Sequence, residues 1–131
     1  MKTILVDGAY TFTIEKDGKF EIFKDMSDLL ETYPNRKIIL SGANEEQVVK
    51  FGLDNLPYEL FTLEHNPEKT DPKYFEILLE KFGLNISEVI YFEHNVDAVK
   101  SAESVGIKSY FYDGDKKDLE SLKNFLDENL K

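Results

Sequence analysis

ILVDGAYTF, residues 4–12, joins a short apolar run to one aspartate and then a glycine. A run of this kind, here taken as residues 2–6, reads as a strand buried on both faces. Asp7 then stands at the rim of a sheet, and Gly8 lets the chain turn away. Two positions on, where a second acid could share that rim, the residue is Ala9. By itself, an aspartate before a glycine is most simply a turn residue. The rest of the chain decides whether Asp7 is more than that.

Working outward, TFTIEKDGKFEIF (11–23) alternates apolar and polar residues on both sides of Asp17-Gly18, the pattern of a β-hairpin. Asp25 is expected to cap a helix reaching Tyr33, with Met26, Leu29, Leu30 and Tyr33 on one stripe and Pro34 as the stop. Further buried strands are expected at 37–40, 58–63, 89–92 and 108–112. Helices fall between them. One opens at Asn44, with Gln47 at the capping-box position, and runs toward Gly52. Others open at Asp71-Pro72 and Asn95, closing at Gly83 and Gly106, and the last spans about 117–130. Short apolar strands alternating with helices predict an α/β fold of three layers, with a five-stranded parallel sheet.

The chain of 131 residues is the size of one domain, residues 1–131. Its net charge of -10 and its single arginine, Arg36, argue against nucleic acid or an anionic membrane as partner. Cysteine is absent, which excludes disulfides and thiolate sites and agrees with a reducing, cytoplasmic setting. The first residues carry no long apolar segment, so neither a signal peptide nor a membrane span is expected.

Ligands of open parallel sheets bind beyond the carboxyl ends of the strands, where the strand order reverses. The polar residues after each strand are therefore the candidates: Asp7, Ser41-Gly42, Glu64-His65, Glu93-His94 and Asp113, with Lys69 a little further along. In that order the chain resembles the haloacid dehalogenase-like (HAD) hydrolase superfamily over nearly its whole length. The family's Asp-x-Asp-Gly-Thr stands here as Asp7, Gly8, Ala9, Tyr10 and Thr11, of which the first and last match. A hairpin flap follows in the family. Its strand ending in Ser or Thr is matched by IILSG and Ser41. Its lysine is matched by Lys69-Thr70-Asp71-Pro72, and its acidic strand end by YFEHNVDAVKSAESVGI, with Glu93 for the usual aspartate.

The resemblance implies a Rossmann-like HAD-like domain without a cap domain, and a Mg²⁺-dependent phosphatase-type reaction. Asp7 is the implied nucleophile, Ser41, Gly42 and Lys69 the phosphate binders, and Lys69 also a catalytic cation. Asp7, the Ala9 carbonyl, Glu93 and Asp97 are the implied metal ligands. Ala9 removes the proton carrier, because in the family's phosphatases the second aspartate protonates the leaving oxygen and then activates water. Phosphonate-cleaving members share the alanine but use a lysine from a cap, for which this chain has no insertion. Tyr10 replaces the usual glycine.

Plainer roles stand beside these. Ser41 also suits a turn, a lone lysine usually lies on the solvated surface, and His65 and His94 suit surface or hydrogen-bonded positions. The same two histidines, beside Glu64 and Glu93, offer a transition-metal set as an outlying alternative. Two functions remain open: an Asp7-dependent phosphohydrolase with impaired or altered turnover, or a catalytically silent module binding a phosphorylated small molecule or a protein. A capless site is open, so a second copy of the chain or a macromolecular substrate could cover it.

Overall fold

The computed structural model describes residues 1–130. Strand β1 (Thr3–Asp7) leads into an antiparallel hairpin, β2 (Thr13–Lys16) and β3 (Lys19–Ile22). Asp17 and Gly18 form its turn with φ of 53° and 81°, which is why this pair and not bulkier residues sits there. Strands and helices then alternate: α1 (Lys24–Glu31), β4 (Lys37–Ser41), α2 (Glu45–Lys50), β5 (Glu59–Thr62), α3 (Lys73–Phe82), β6 (Val89–Glu93), α4 (Val96–Val105), β7 (Lys108–Phe111) and α5 (Leu119–Asn129).

Five strands pair in parallel in the order β5-β4-β1-β6-β7. In register, Asp7 lies beside Leu40 of β4, and Val6 lies beside Phe92 of β6. The central strands β1, β4 and β6 are buried at every position, as their unbroken apolar runs require. One core packs Ile4, Val6, Ile39, Ile90 and Phe92 against Met26 and Leu30 of α1 and Leu122 and Leu126 of α5. The opposite core packs Leu5, Ile38, Leu40 and Tyr91 against Tyr74, Phe75 and Leu78 of α3 and Ala102 of α4. The order reverses about β1, which puts the switch point between β1 and β6.

Several element ends follow the local chemistry expected of them. The Asn44 side chain accepts from Gln47 N, and the Gln47 side chain accepts from Asn44 N, completing a capping box. The Asn95 side chain accepts from Asp97 N, and Gly83 closes α3 at φ 63°. Two ends differ. Helix α1 begins at Lys24 after Phe23, which makes no side-chain cap bond, so Asp25 lies within the first turn and is not the cap. The anchor there is hydrophobic: Phe23 packs on the core and its N–H donates to Phe12 O at 2.8 Å. Helix α5 begins at Leu119 because Lys117, at φ 49°, still belongs to the turn, and Asp118 caps through Ser121 N. No helix among the described residues is long and apolar enough to cross a membrane.

Candidate active site

Asp7 and Glu93 end two adjacent central strands. Side chains alternate along a strand, so Asp7 shares a face with Leu5, and Glu93 with Tyr91. Leu5 and Tyr91 both belong to the core beneath α3 and α4, so both carboxylates lean toward that layer. Lys69 approaches from the same side, on the loop that joins β5 to α3. Its Nζ lies 2.7 Å from Asp7 Oδ1, 2.6 Å from Glu93 Oε1 and 3.3 Å from the Leu40 carbonyl.

The other oxygen of each carboxylate faces His94. His94 Nδ1 makes a close contact with Asp7 Oδ2 and lies 3.2 Å from Glu93 Oε2. Asp7 Oδ2 also accepts from the Thr11 hydroxyl at 2.6 Å and from His94 N at 3.3 Å. Glu93 Oε1 accepts from the Tyr91 hydroxyl, and Glu93 Oε2 accepts from Asn95 N at 3.0 Å. All four carboxylate oxygens are therefore engaged. Two carboxylates meet an ammonium and an imidazole in a space that water hardly reaches: the Asp7 side chain is 3% exposed and that of Glu93 0%.

Burial alone would push the Asp7 carboxyl up, but Lys69 and then His94 outweigh it and hold it well below the usual carboxylate range. Burial likewise works against the Lys69 ammonium, yet Asp7 and Glu93 hold its pKa above the ordinary lysine value. Burial disfavours the charged His94 imidazole too. Its hydrogen bonds to Asp7 and Glu93 prevail and push it up to about 10, so it is a cation at neutral pH.

The expected phosphate contacts lie at the same rim. Asp7, Ser41, Gly42 and Lys69 line one open cavity of about 240 Å³, together with Ala9, Tyr10, His65 and His94. The Ser41 hydroxyl accepts from Ala43 N at 3.0 Å and keeps its own hydrogen to donate. Behind it, the Tyr74 hydroxyl donates to the Ser41 carbonyl at 2.7 Å and fixes the strand end. A larger hollow of about 570 Å³ lies between the hairpin and the turn after β7, and shares Tyr10 and His94 with the first. Tyr10 adopts φ 68°, the left-handed region that glycine takes freely, and its ring contacts Phe20, Phe51 and His94.

Asp97 is not part of this group. It is exposed on the first turn of α4, while the donor atoms of Asp7, Glu93 and His94 lie within 4.8 Å of one another. His65 is apart from them as well, held by Gln47 and by Glu68 at 2.9 Å. Sequence reasoning gave Tyr91 no role, Thr11 only its place in the motif, and His94 a surface or hydrogen-bonded position with a transition-metal set as the outlying alternative. Tyr91 had a signal, since it shares a strand face with Glu93 and a buried tyrosine needs a partner for its hydroxyl.

No protein-family model and no curated protein sequence matches the chain. Solved structures do. One is a HAD family enzyme from Bacteroides thetaiotaomicron, an aspartate-to-alanine mutant in complex with magnesium and inorganic phosphate. It is 14% identical and superposes with a TM-score of 0.63 over 85% of this chain and 93% of its own. The chain has the HAD-like fold. A hydrolase from Streptococcus pneumoniae shares it at 18% identity and a TM-score of 0.63, over 84% of this chain and 59% of its own. A haloacid dehalogenase-like protein from Agrobacterium tumefaciens shares it at 18% identity and a TM-score of 0.56, over 70% of this chain and 45% of its own. The HAD-like domain thus spans only about half the length of these last two. Its sheet carries a hairpin and one helix, and no larger insertion, between β1 and β4.

Mg²⁺ prefers a near-octahedral shell of oxygens and retains several waters. Here the two oxygens that would face the ion, Asp7 Oδ2 and Glu93 Oε2, face an imidazole nitrogen. The additional acid expected, Asp97, is exposed and outside the cluster of Asp7, Glu93 and His94. These residues do not fit Mg²⁺ as an all-oxygen site.

Proposed function

We propose that this HAD-like domain is a phosphatase-type hydrolase that acts through Asp7 and is slow at the steps that need a proton. The observation that carries the reading is the Lys69 ammonium bridging Asp7 and Glu93 at the switch point of the sheet. A buried cation locked between two carboxylates is costly to assemble for fold stability alone, and this one opens onto a cavity.

In this reading a phosphomonoester enters the smaller cavity, with its alcohol toward the larger hollow. An Asp7 oxygen attacks phosphorus while the bond to the leaving oxygen breaks, and the electron pair departs on that oxygen. Lys69, the Ser41 hydroxyl and the Gly42 backbone meet the charge on the phosphoryl oxygens. Ala9 offers no proton, so the leaving oxygen takes one from water. Water then attacks phosphorus of the acyl phosphate, releasing inorganic phosphate and restoring the carboxylate. None of these steps is routed through Mg²⁺, because the donors present do not suit it.

A second reading has its own support. The four carboxylate oxygens are fully engaged in a charge-balanced network, which is how a retired nucleophile would be held. In that case the domain binds a phosphorylated ligand or a protein without turnover, and a second copy or the partner covers the open site. The deciding experiment is a panel of phosphatase and phosphonatase substrates with Asp7→Asn as the blank. Turnover lost in Asp7→Asn supports the hydrolase. Turnover that survives it belongs elsewhere, and no turnover with saturable phosphate binding supports the module.

A further inference from the structure

We infer that Asp7 Oδ2, Glu93 Oε2 and His94 Nδ1 form a three-donor site for a transition-metal dication of the Zn²⁺ or Co²⁺ type, in preference to Mg²⁺.

The donor chemistry comes first. Imidazole suits zinc, iron, nickel and copper, whereas magnesium is held by carboxylates, phosphates and water. A histidine inserted between two carboxylates therefore changes which ion the site selects. Bonds of about 2.0–2.2 Å to nitrogen and oxygen place neighbouring ligands roughly 3 Å apart. His94 Nδ1 lies 3.2 Å from Glu93 Oε2, and all three donors fall within 4.8 Å of one another. The contact of His94 Nδ1 with Asp7 Oδ2 is closer than two ligands of one ion stand, so a metal would replace that hydrogen bond and part the pair.

The surroundings orient these donors. The Thr11 hydroxyl donates to Asp7 Oδ2 at 2.6 Å, and Asn95 N donates to Glu93 Oε2 at 3.0 Å. Lys69 holds the opposite oxygens, Asp7 Oδ1 and Glu93 Oε1, so each carboxylate turns its other oxygen toward His94. Such outer contacts fix ligand geometry in metal sites. Three protein donors also leave coordination positions open toward the cavity that His94 lines.

Charge gives the site a use. The two carboxylates and the Lys69 ammonium sum to -1. A dication held beside them by a neutral imidazole gives a net +1. In a chain of net charge -10, that local excess would favour a phosphate. The inference deepens the hydrolase reading at the same site. It is nevertheless read out without activity, so a chain that binds the metal but never turns over would uphold it while sinking the hydrolase.

The test titrates Co²⁺ into the metal-free chain and follows its visible d–d absorption, with Zn²⁺ and Mg²⁺ as competitors. We expect bands that Zn²⁺ abolishes and that a large excess of Mg²⁺ leaves in place. His94→Gln should weaken Co²⁺ binding by at least about 10–100-fold, the loss known even for outer-shell partners. His65→Gln should leave it unchanged, and His94→Asp, an all-oxygen set, should shift preference toward Mg²⁺. For wild type alone, Co²⁺ should broaden the His94 ring resonances in proton NMR before those of His65, which requires no variant to fold. Absence of bands, bands that persist in His94→Gln, loss confined to His65→Gln, or displacement by equimolar Mg²⁺ would each overturn the inference.

Discussion

Lys69 and Asp7 are 62 positions apart in the chain, yet Nζ and Oδ1 meet at 2.7 Å beneath a surface that leaves only 15% of the lysine side chain exposed. Removing the cation would leave two buried carboxylates facing each other. We therefore expect Lys69→Met to cost about 3–5 kcal/mol, the usual penalty for stranding a buried charge. Asp7→Asn should relieve part of it, making the double variant less destabilised than the sum of the two. Urea denaturation checks both. A loss under about 1 kcal/mol for Lys69→Met would mean that water reaches these carboxylates freely.

His94 gives the fold an alkaline limb. Its pKa is about 10 when folded, against 6.5 for a free histidine, so between these values the folded chain holds a proton that the unfolded chain releases. Stability from His94 is therefore complete below about pH 6.5 and is lost as pH rises through 10. Asp7 acts with the opposite sign. Its contribution is present above about 3.8 and fades as pH falls below that value. Metal-free protein should thus be most stable between these limits. Because 32% of the His94 side chain is exposed, the alkaline loss should be roughly 1–2 kcal/mol. Denaturation midpoints across pH, with a chelator present, should show this slope in wild type and a flatter one in His94→Gln.

Tyr10 occupies a left-handed position at φ 68° that costs most residues about 1 kcal/mol. Its ring contacts with Phe20 at 5.3 Å and His94 at 5.6 Å, measured between centroids, offset that strain. Tyr10→Gly should then be close to neutral, since strain relief and lost contacts oppose each other. Tyr10→Val should lower stability by about 1–3 kcal/mol, because a β-branched residue gains no stacking and tolerates this backbone poorly. Thermal melting separates the two variants, and equal midpoints would remove strain as the cause.

These relationships were unequally legible in the sequence. The alternation of strands and helices, the hairpin turn at Asp17-Gly18 and the caps at Asn44 and Asn95 follow from local patterns, because each depends on residues a few positions apart. So does the rim placement of Asp7, Ser41 and Glu93, because parallel strands bring their carboxyl ends to one edge. The α1 start was misplaced because Phe23 is anchored by a distant contact with Phe12 O, which outweighs a polar cap at Asp25. His94 gained its place in the same way. Nothing next to it in the sequence tells its ring to turn toward a carboxylate from β1. Asp97 shows the converse: it is only four positions from Glu93, yet on the first turn of α4 it is exposed and outside the cluster of Asp7, Glu93 and His94.

Ala9 lines the smaller cavity beside Asp7. If Asp7 is a working nucleophile without a proton partner, the natural chain should stall as a phosphorylated Asp7. Intact mass after exposure to acetyl phosphate should then show one added phosphoryl group in wild type and none in Asp7→Asn. Ala9→Asp should restore the partner. General acid or base assistance is worth about 10²–10⁴-fold, and a strongly basic alkoxide needs the proton far more than a nitrophenolate does. The gain should therefore be larger for alkyl than for aryl phosphates, and the trapped adduct should disappear as water is activated against it. Tyr10→Gly added to Ala9→Asp tests whether the loop holds the new carboxylate out of reach, since Tyr10 fixes the backbone just after it. Absence of an adduct in wild type, with no gain in either variant, would leave Asp7 as a structural carboxylate whose work is to hold Lys69 and His94. In that outcome the binding module is the better account of the site.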